Sequence, residues 1–195
     1  MNSKKNIAIF ISGKGSNAKN IIDYFHDSTK IKVKFVFTTG ENYDLSDYCQ
    51  ERGVLFFDSN EKESYTQQQI TLCSTNNIDW VILAGYLKQI PVEFISRLNH
   101  KIINLHPSLL PKFGGKGMYG KNVHAAVLAE KEIKSGITIH LVNEVFDEGR
   151  IMNQYECEID MGETIASLEG KINALEQRYF PNAILTIIEQ MTIIE

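Results

Sequence analysis

The sequence predicts an α/β fold, built as a single domain over residues 1–195: a doubly wound, Rossmann-like, mainly parallel sheet with an antiparallel C-terminal addition. Three features point there. Short, unbroken apolar runs such as 7–11 and 80–84 have the length and composition of strands buried on both faces. Segments with helical apolar spacing alternate with these runs through the first half, the βαβ rhythm of a parallel sheet. From 136 onward the pattern changes to two alternating segments around a turn, which reads as an antiparallel pair.

The elements follow in order. The run 7–11 leads into a turn, Ser12-Gly13-Lys14-Gly15-Ser16-Asn17, and then Ala18, Ile21, Ile22 and Phe25 recur at helical spacing. A second strand spans 31–37, with Ile31, Val33, Phe35 and Phe37 on one face. A short helix is expected over 45–52, a strand over 54–57 and a solvated helix over 61–76. The strand at 80–84 closes at Gly85, and Pro91 opens a helix at a favourable first-turn position. Residues 101–104 form the next strand. A glycine-rich loop at 113–120 leads to a helix over 123–130, then to alternating segments 136–142 and 151–159. Ile165, Leu168, Ile172, Leu175 and Tyr179 mark a terminal helix, which Pro181 should break or kink before Ile184, Ile187 and Ile188.

Composition narrows the function. With 195 residues, 43% hydrophobic and 23% charged, the chain can bury about 70% of its unfolded surface without staples. The net charge of −4 counts against a general nucleic-acid binder. No stretch of about 20 apolar residues predicts a membrane span, and the N-terminus lacks a signal-peptide core. Cys49, Cys73 and Cys157 are odd in number and far apart, which reads as reduced thiols in a cytoplasmic protein. No two Cys or His residues have ligand spacing, so no metal is expected.

Two stretches carry chemistry. Strand, Gly13-x-Gly15-Ser16-Asn17, then helix is an anion-binding arrangement, because a helix N-terminus presents backbone N–H groups and a positive dipole end. It is neither GxGxxG nor a P-loop, and the second strand ends Thr38-Thr39-Gly40-Glu41 without an acidic residue at its tip. A phosphate monoester therefore fits better than a dinucleotide, and a plain capped turn is the alternative. The second stretch is Asn104-Leu105-His106-Pro107-Ser108-Leu109-Leu110-Pro111, directly after a strand. Asn104 and His106 are two apart, so their side chains share one face. A hydrogen-bond donor beside a titratable imidazole suits acyl or formyl transfer. Asp147 sits in a later turn; should that turn reach His106, its carboxylate would raise the imidazole pKa. His26, His100, His124 and His140 read as structural.

The Gly13-x-Gly15-Ser16-Asn17 loop, the strand end Leu83-Ala84-Gly85-Tyr86, the Asn104-x-His106-Pro107-Ser108-Leu109-Leu110-Pro111 stretch and Asp147-x-Gly149 occur in that order. Together they resemble the phosphoribosylglycinamide formyltransferase family, folate-dependent enzymes of de novo purine synthesis. The resemblance covers nearly the whole chain. It implies transfer of the formyl group of 10-formyltetrahydrofolate, the co-substrate, to the amine of glycinamide ribonucleotide, without a metal. It implies that Gly15, Ser16 and Asn17 hold the substrate phosphate and that Glu176 contacts the nucleotide. Leu87, Lys88, Gln89 and Ile90 would line the folate pocket, with Lys62 and Asn104 as further folate contacts. His106 would be the general acid, Asn104 the oxyanion donor and Asp147 the group that raises the histidine pKa. The implied partners are small molecules rather than nucleic acid or membrane, and the protein would act as monomer or homodimer.

The chain departs from the family in places. Lys88 stands where Arg is common, and Lys62 and Lys88 lack the bidentate fork of arginine. The stretch 114–120 looks like an insertion, and Asn122 stands where the family has a histidine. Among rivals, a formyltetrahydrofolate hydrolase would carry a regulatory domain before the first strand, and a methionyl-tRNA formyltransferase would carry an added C-terminal domain. A non-catalytic nucleotide-binding module would explain the glycine loop but not Asn104, His106 and Asp147 together.

Overall fold

The computed structural model describes residues 4–40, 42–59 and 64–194. The chain divides into two compact units, Met1–Ile103 and Asn104–Glu195.

The first unit alternates strand and helix: β1 (Lys5–Ile11), α1 (Ser16–Phe25), β2 (Ile31–Thr38), α2 (Tyr43–Glu51), β3 (Leu55–Asp58), α3 (Tyr65–Thr75), β4 (Trp80–Leu83) and α4 (Val92–Arg97). Its strands lie in the order β3-β2-β1-β4. The β1–β2, β1–β4 and β2–β3 pairs are all parallel. The central strand β1 is buried on both faces from Ile7 to Ile11, as its unbroken apolar run requires. Strand order runs outward from β1 through β2 and β3, then reverses to β4. Such a reversal opens a crevice at the carboxyl ends of the two central strands. Here it falls between the loops that follow β1 and β4. Side-chain caps set two helix starts: Asn42 accepts from Leu45 N–H at 3.2 Å, and Ser64 from Gln67 N–H at 3.2 Å. The Ser64 cap sets the start of α3 at Tyr65; positions 61–63 of the expected helix lie outside the described residues.

The second unit holds β5 (Ile102–His106, which begins in the first unit), α5 (Lys121–Ala129), β6 (Lys134–Leu141), β7 (Ile151–Glu158) and α6 (Ile165–Ile194). Strand order is β5-β6-β7. The β6–β7 pair is antiparallel, with Thr138 opposite Gln154 and Ile137 opposite Tyr155. A parallel α/β sheet with an antiparallel C-terminal addition is thus the fold, as the alternating pattern predicts.

Of the two outcomes expected at Pro181, a break does not occur: α6 runs unbroken from Ile165 to Ile194. Phe180, Ile184, Ile187 and Ile188 lie buried at helical spacing across the proline. Burying each such side chain contributes about 1.5–3 kcal/mol. Four of them outweigh the ~3 kcal/mol cost of an interior proline.

Candidate active site

β5 delivers Asn104 and His106 as residues i and i+2, and their side chains meet two neighbouring groups, His140 for Asn104 and Asp147 for His106. The Asn104 amide donates to His140 Nε2 at 3.0 Å. His140 Nδ1–H donates in turn to the Leu141 carbonyl at 3.0 Å, which leaves Nε2 as the acceptor. The same Nε2 stands 3.7 Å from Asp147 Oδ1, and His106 Nδ1 stands 3.5 Å from Asp147 Oδ2. Asn104, His140, Asp147 and His106 therefore form one array inside the second unit. His106 and His140 are 3% and 2% exposed.

The array is held by its loops. Asp147 adopts a left-handed backbone, φ 58°, at the turn after β6. Its Oδ2 accepts the Gly115 N–H at 2.8 Å. Gly114 makes that approach possible: a Cβ there would stand 2.6 Å from Leu110 Cδ2 and 3.1 Å from Asp147 Cβ. His106 Nε2–H donates to the Phe113 carbonyl at 2.8 Å. The segment between His106 and Phe113 is fixed from β6 and β7. The Thr138 hydroxyl donates to the Ser108 carbonyl at 2.6 Å and accepts from Leu110 N–H at 3.0 Å and Gln154 Nε2 at 2.9 Å. That uses its one donor and both acceptor positions. Gln154 also donates to the Leu110 carbonyl at 2.9 Å.

Electrostatics corrects one expectation. Burial pushes the His106 imidazole below its ordinary value, although Asp147 and the Phe113 carbonyl pull it upward. Asp147 acts in the expected direction, but desolvation is the larger effect. The geometry agrees, since the Asp147 oxygen nearest His106 already accepts from Gly115 and the 3.5 Å separation is longer than an ordinary hydrogen bond. Burial opposes ionisation of Asp147 too. There the neighbouring imidazoles of His140 and His106, when either carries a second proton, and the Gly115 N–H prevail and hold the carboxyl below its usual range; toward the neutral His140 Nε2 the carboxylate makes no hydrogen bond.

The other expected site residues lie apart from this array in sequence and character. Gly15 precedes α1 in the left-handed conformation, φ 77°, and no side chain caps the helix. A Cβ at Gly15 would meet Leu45 Cδ2 at 2.5 Å, so both shape and space select glycine. Ser16 is exposed and Asn17 is buried at the first turn. In the loop after β4, Leu87, Lys88 and Gln89 are exposed while Ile90 is buried. Lys88 Nζ lies 5.8 Å from the centre of the Tyr65 ring. The buried Gln69 Nε2 donates to the Tyr86 hydroxyl at 2.6 Å and steadies the base of that loop. Glu176 is a half-buried residue of α6. Lys62 lies outside the described residues. Among the described residues, no group of three His, Cys, Asp or Glu side chains is placed to hold a metal ion.

Sequence reasoning set His140 aside as structural, yet it bridges Asn104 and Asp147. The available signal was its spacing: Thr138 and His140 alternate onto one face of β6, and the Asp147 turn follows six residues after the strand ends.

A family model described as formyl transferase matches residues 5–184. The chain is 35% identical over 194 residues to a chloroplastic phosphoribosylglycinamide formyltransferase of Arabidopsis thaliana, covering 96% of this chain and 66% of that protein. It thus spans just under two thirds of the plant relative's length. It is 29% identical to the phosphoribosylglycinamide formyltransferase of Bacillus subtilis, covering 94% of this chain and 95% of the other. The crystal structure of phosphoribosylglycinamide formyltransferase from Anaplasma phagocytophilum superposes with a TM-score of 0.86 at 28% identity, over 96% of this chain and 89% of that one. The chain belongs to the formyl transferase family.

Proposed function

We propose that this protein transfers the formyl group of 10-formyltetrahydrofolate to the amine of glycinamide ribonucleotide. The products are formylglycinamide ribonucleotide and tetrahydrofolate, a step of de novo purine synthesis. The observation that carries the proposal is the array Asn104–His140–Asp147–His106, with both histidines buried, which joins an amide donor to a histidine beside a carboxylate. The names of its full-length bacterial relative and of its structural neighbour support the same substrate.

In the proposed reaction the substrate amine attacks the formyl carbon, and the carbonyl oxygen becomes an oxyanion. The Asn104 amide has two N–H donors. One is held by His140, and the other is assigned to the oxyanion. His106 enters neutral at pH 7, since burial depresses its pKa. It takes the proton that the attacking nitrogen loses and delivers it to the folate N10 as the C–N10 bond breaks. In the neutral ring Nε2 carries the hydrogen given to the Phe113 carbonyl and Nδ1 faces Asp147; for Nε2 to exchange a proton with the substrates, the Phe113 bond must release and the ring hydrogen must move to Nδ1, where Asp147 receives it. Asp147 stabilises the imidazolium that forms between the two transfers.

Gly15, Ser16 and Asn17 are assigned to the nucleotide phosphate, helped by the uncapped start of α1. Glu176 is assigned to the same substrate, and Lys62, Leu87, Lys88, Gln89, Ile90 and Asn104 to the folate. The proposed compartment is the cytoplasm, with the protein acting as monomer or homodimer. The test is to mix the protein with both substrates and follow loss of the formyl group. Turnover that requires the nucleotide is the expected result; formyl loss to water alone, or none, overturns the proposal.

A further inference from the structure

The loops assigned to the two substrates within the first unit are joined through one residue that carries no assigned role. Ser12 directly follows Ile11, the last residue of β1, and immediately precedes the anion loop. Its backbone N–H donates to the Gly85 carbonyl at 3.0 Å, and its hydroxyl oxygen accepts the Leu87 N–H at 3.0 Å. Two bonds to a single residue thus hold the start of the 85–90 loop. The same hydroxyl oxygen accepts from Thr39 Oγ1 at 2.8 Å, and Thr39 N–H donates to the Ile11 carbonyl at 3.2 Å. With two incoming donors, both acceptor positions of the Ser12 oxygen are filled. The ends of β1, β2 and β4 therefore converge on Ser12, at the crevice where strand order reverses.

The two loops have room to respond. Gly13 has no atom within 4 Å of where a Cβ would stand, and the same holds for Gly85 in its left-handed conformation, φ 79°. Any backbone change at 13–17 on binding an anion would act on Ser12, and through it on the acceptor that holds Leu87.

We infer that Ser12 is a positioning residue that couples occupancy of the 15–17 anion loop to the conformation of the 87–90 loop, so that nucleotide and folate bind cooperatively. The inference rests on the substrate assignments proposed above. By linkage the coupling is reciprocal: whatever factor the nucleotide adds to folate affinity, folate adds to nucleotide affinity. The Leu87–Ser12 bond is solvent-exposed, so water can replace it. Its loss alters the coupling more than the fold.

The test measures binding of tetrahydrofolate, which carries no formyl group to transfer, by calorimetry with and without saturating glycinamide ribonucleotide. Wild type should bind tetrahydrofolate about fivefold or more tightly when the nucleotide is present. Ser12→Ala should bind each ligand alone within about twofold of wild type and lose the coupling; Ser12→Thr, which keeps the hydroxyl, should restore it. Ser12→Ala with undiminished coupling overturns the inference, as does a wild type that binds both ligands independently. A wild type that binds neither ligand overturns the substrate assignments as well, which separates the two failures.

Discussion

His106 and His140 of the second unit are buried and Asp147 beside them is half-buried, all three tied to neighbouring side chains or backbone groups, whereas Ser16, Leu87, Lys88 and Gln89 of the first unit stand open to solvent. The contrast separates two tasks. Moving a proton and holding an oxyanion gains from a dry, preorganised site, where each dipole acts at low dielectric. Capturing a charged substrate gains from accessible backbone donors that water can leave easily. The second unit invests in fixed geometry, down to a glycine at 114 that lets Asp147 approach. The first invests in an uncapped helix start and an exposed loop.

The largest expected effect breaks the buried side. His106→Ala and Asp147→Ala should each lower kcat by about 10²–10³, the usual cost of removing one preorganised group, while nucleotide affinity changes little. Steady-state kinetics with each substrate varied checks the split, and circular dichroism checks that the variants remain folded. A smaller loss is expected from His140→Ala. It releases the Asn104 amide from its 3.0 Å partner and should lower kcat by about ten- to a hundredfold, as misplacement of a reacting group does.

On the open side, Ser16→Ala should raise the KM for the nucleotide by about tenfold with kcat nearly unchanged, the effect of one hydrogen bond to a charged group. An unchanged KM would remove Ser16 from the phosphate site.

The smallest effect concerns pH. Burial depresses the pKa of His106 and of His124, whose Nδ1 is buried without a partner among the described residues. Below the ordinary imidazole value of about 6.5 the unfolded chain therefore binds more protons than the folded one, and stability falls as pH drops. Each histidine contributes at most about 1.4 kcal/mol per pH unit in that window. Thermal unfolding followed from pH 8 to 5.5 should show this decline, and His124→Leu should flatten it. Asp147 works at lower pH: its depressed pKa adds stability that is present above the ordinary carboxyl range and lost as pH falls through the folded value.

Much of this was legible in the sequence. Continuous apolar runs gave the central strands because a parallel sheet buries both faces, and the spacing of Asn104 and His106 gave their shared face because strand side chains alternate. The contact of Asp147 with His106 could be framed only as a condition, since it depends on how the turn after β6 folds back. Three things escaped for identifiable reasons. His140 looked structural because its two partners are distant in sequence. The net direction of the His106 pKa depends on burial depth, which no motif encodes. Pro181 looked like a breaker because its local cost is visible in the sequence, while the packing around Phe180 and Ile184 that overrides it is not.

The most direct test of the array is the single-turnover rate of formyl transfer in Asn104→Ala, with both substrates saturating. A fall of about 10²–10³ in rate, equivalent to about 2.7–4 kcal/mol, with nucleotide affinity within about threefold of wild type, is the predicted result. A folded Asn104→Ala protein that transfers the formyl group at a near-normal rate would contradict it.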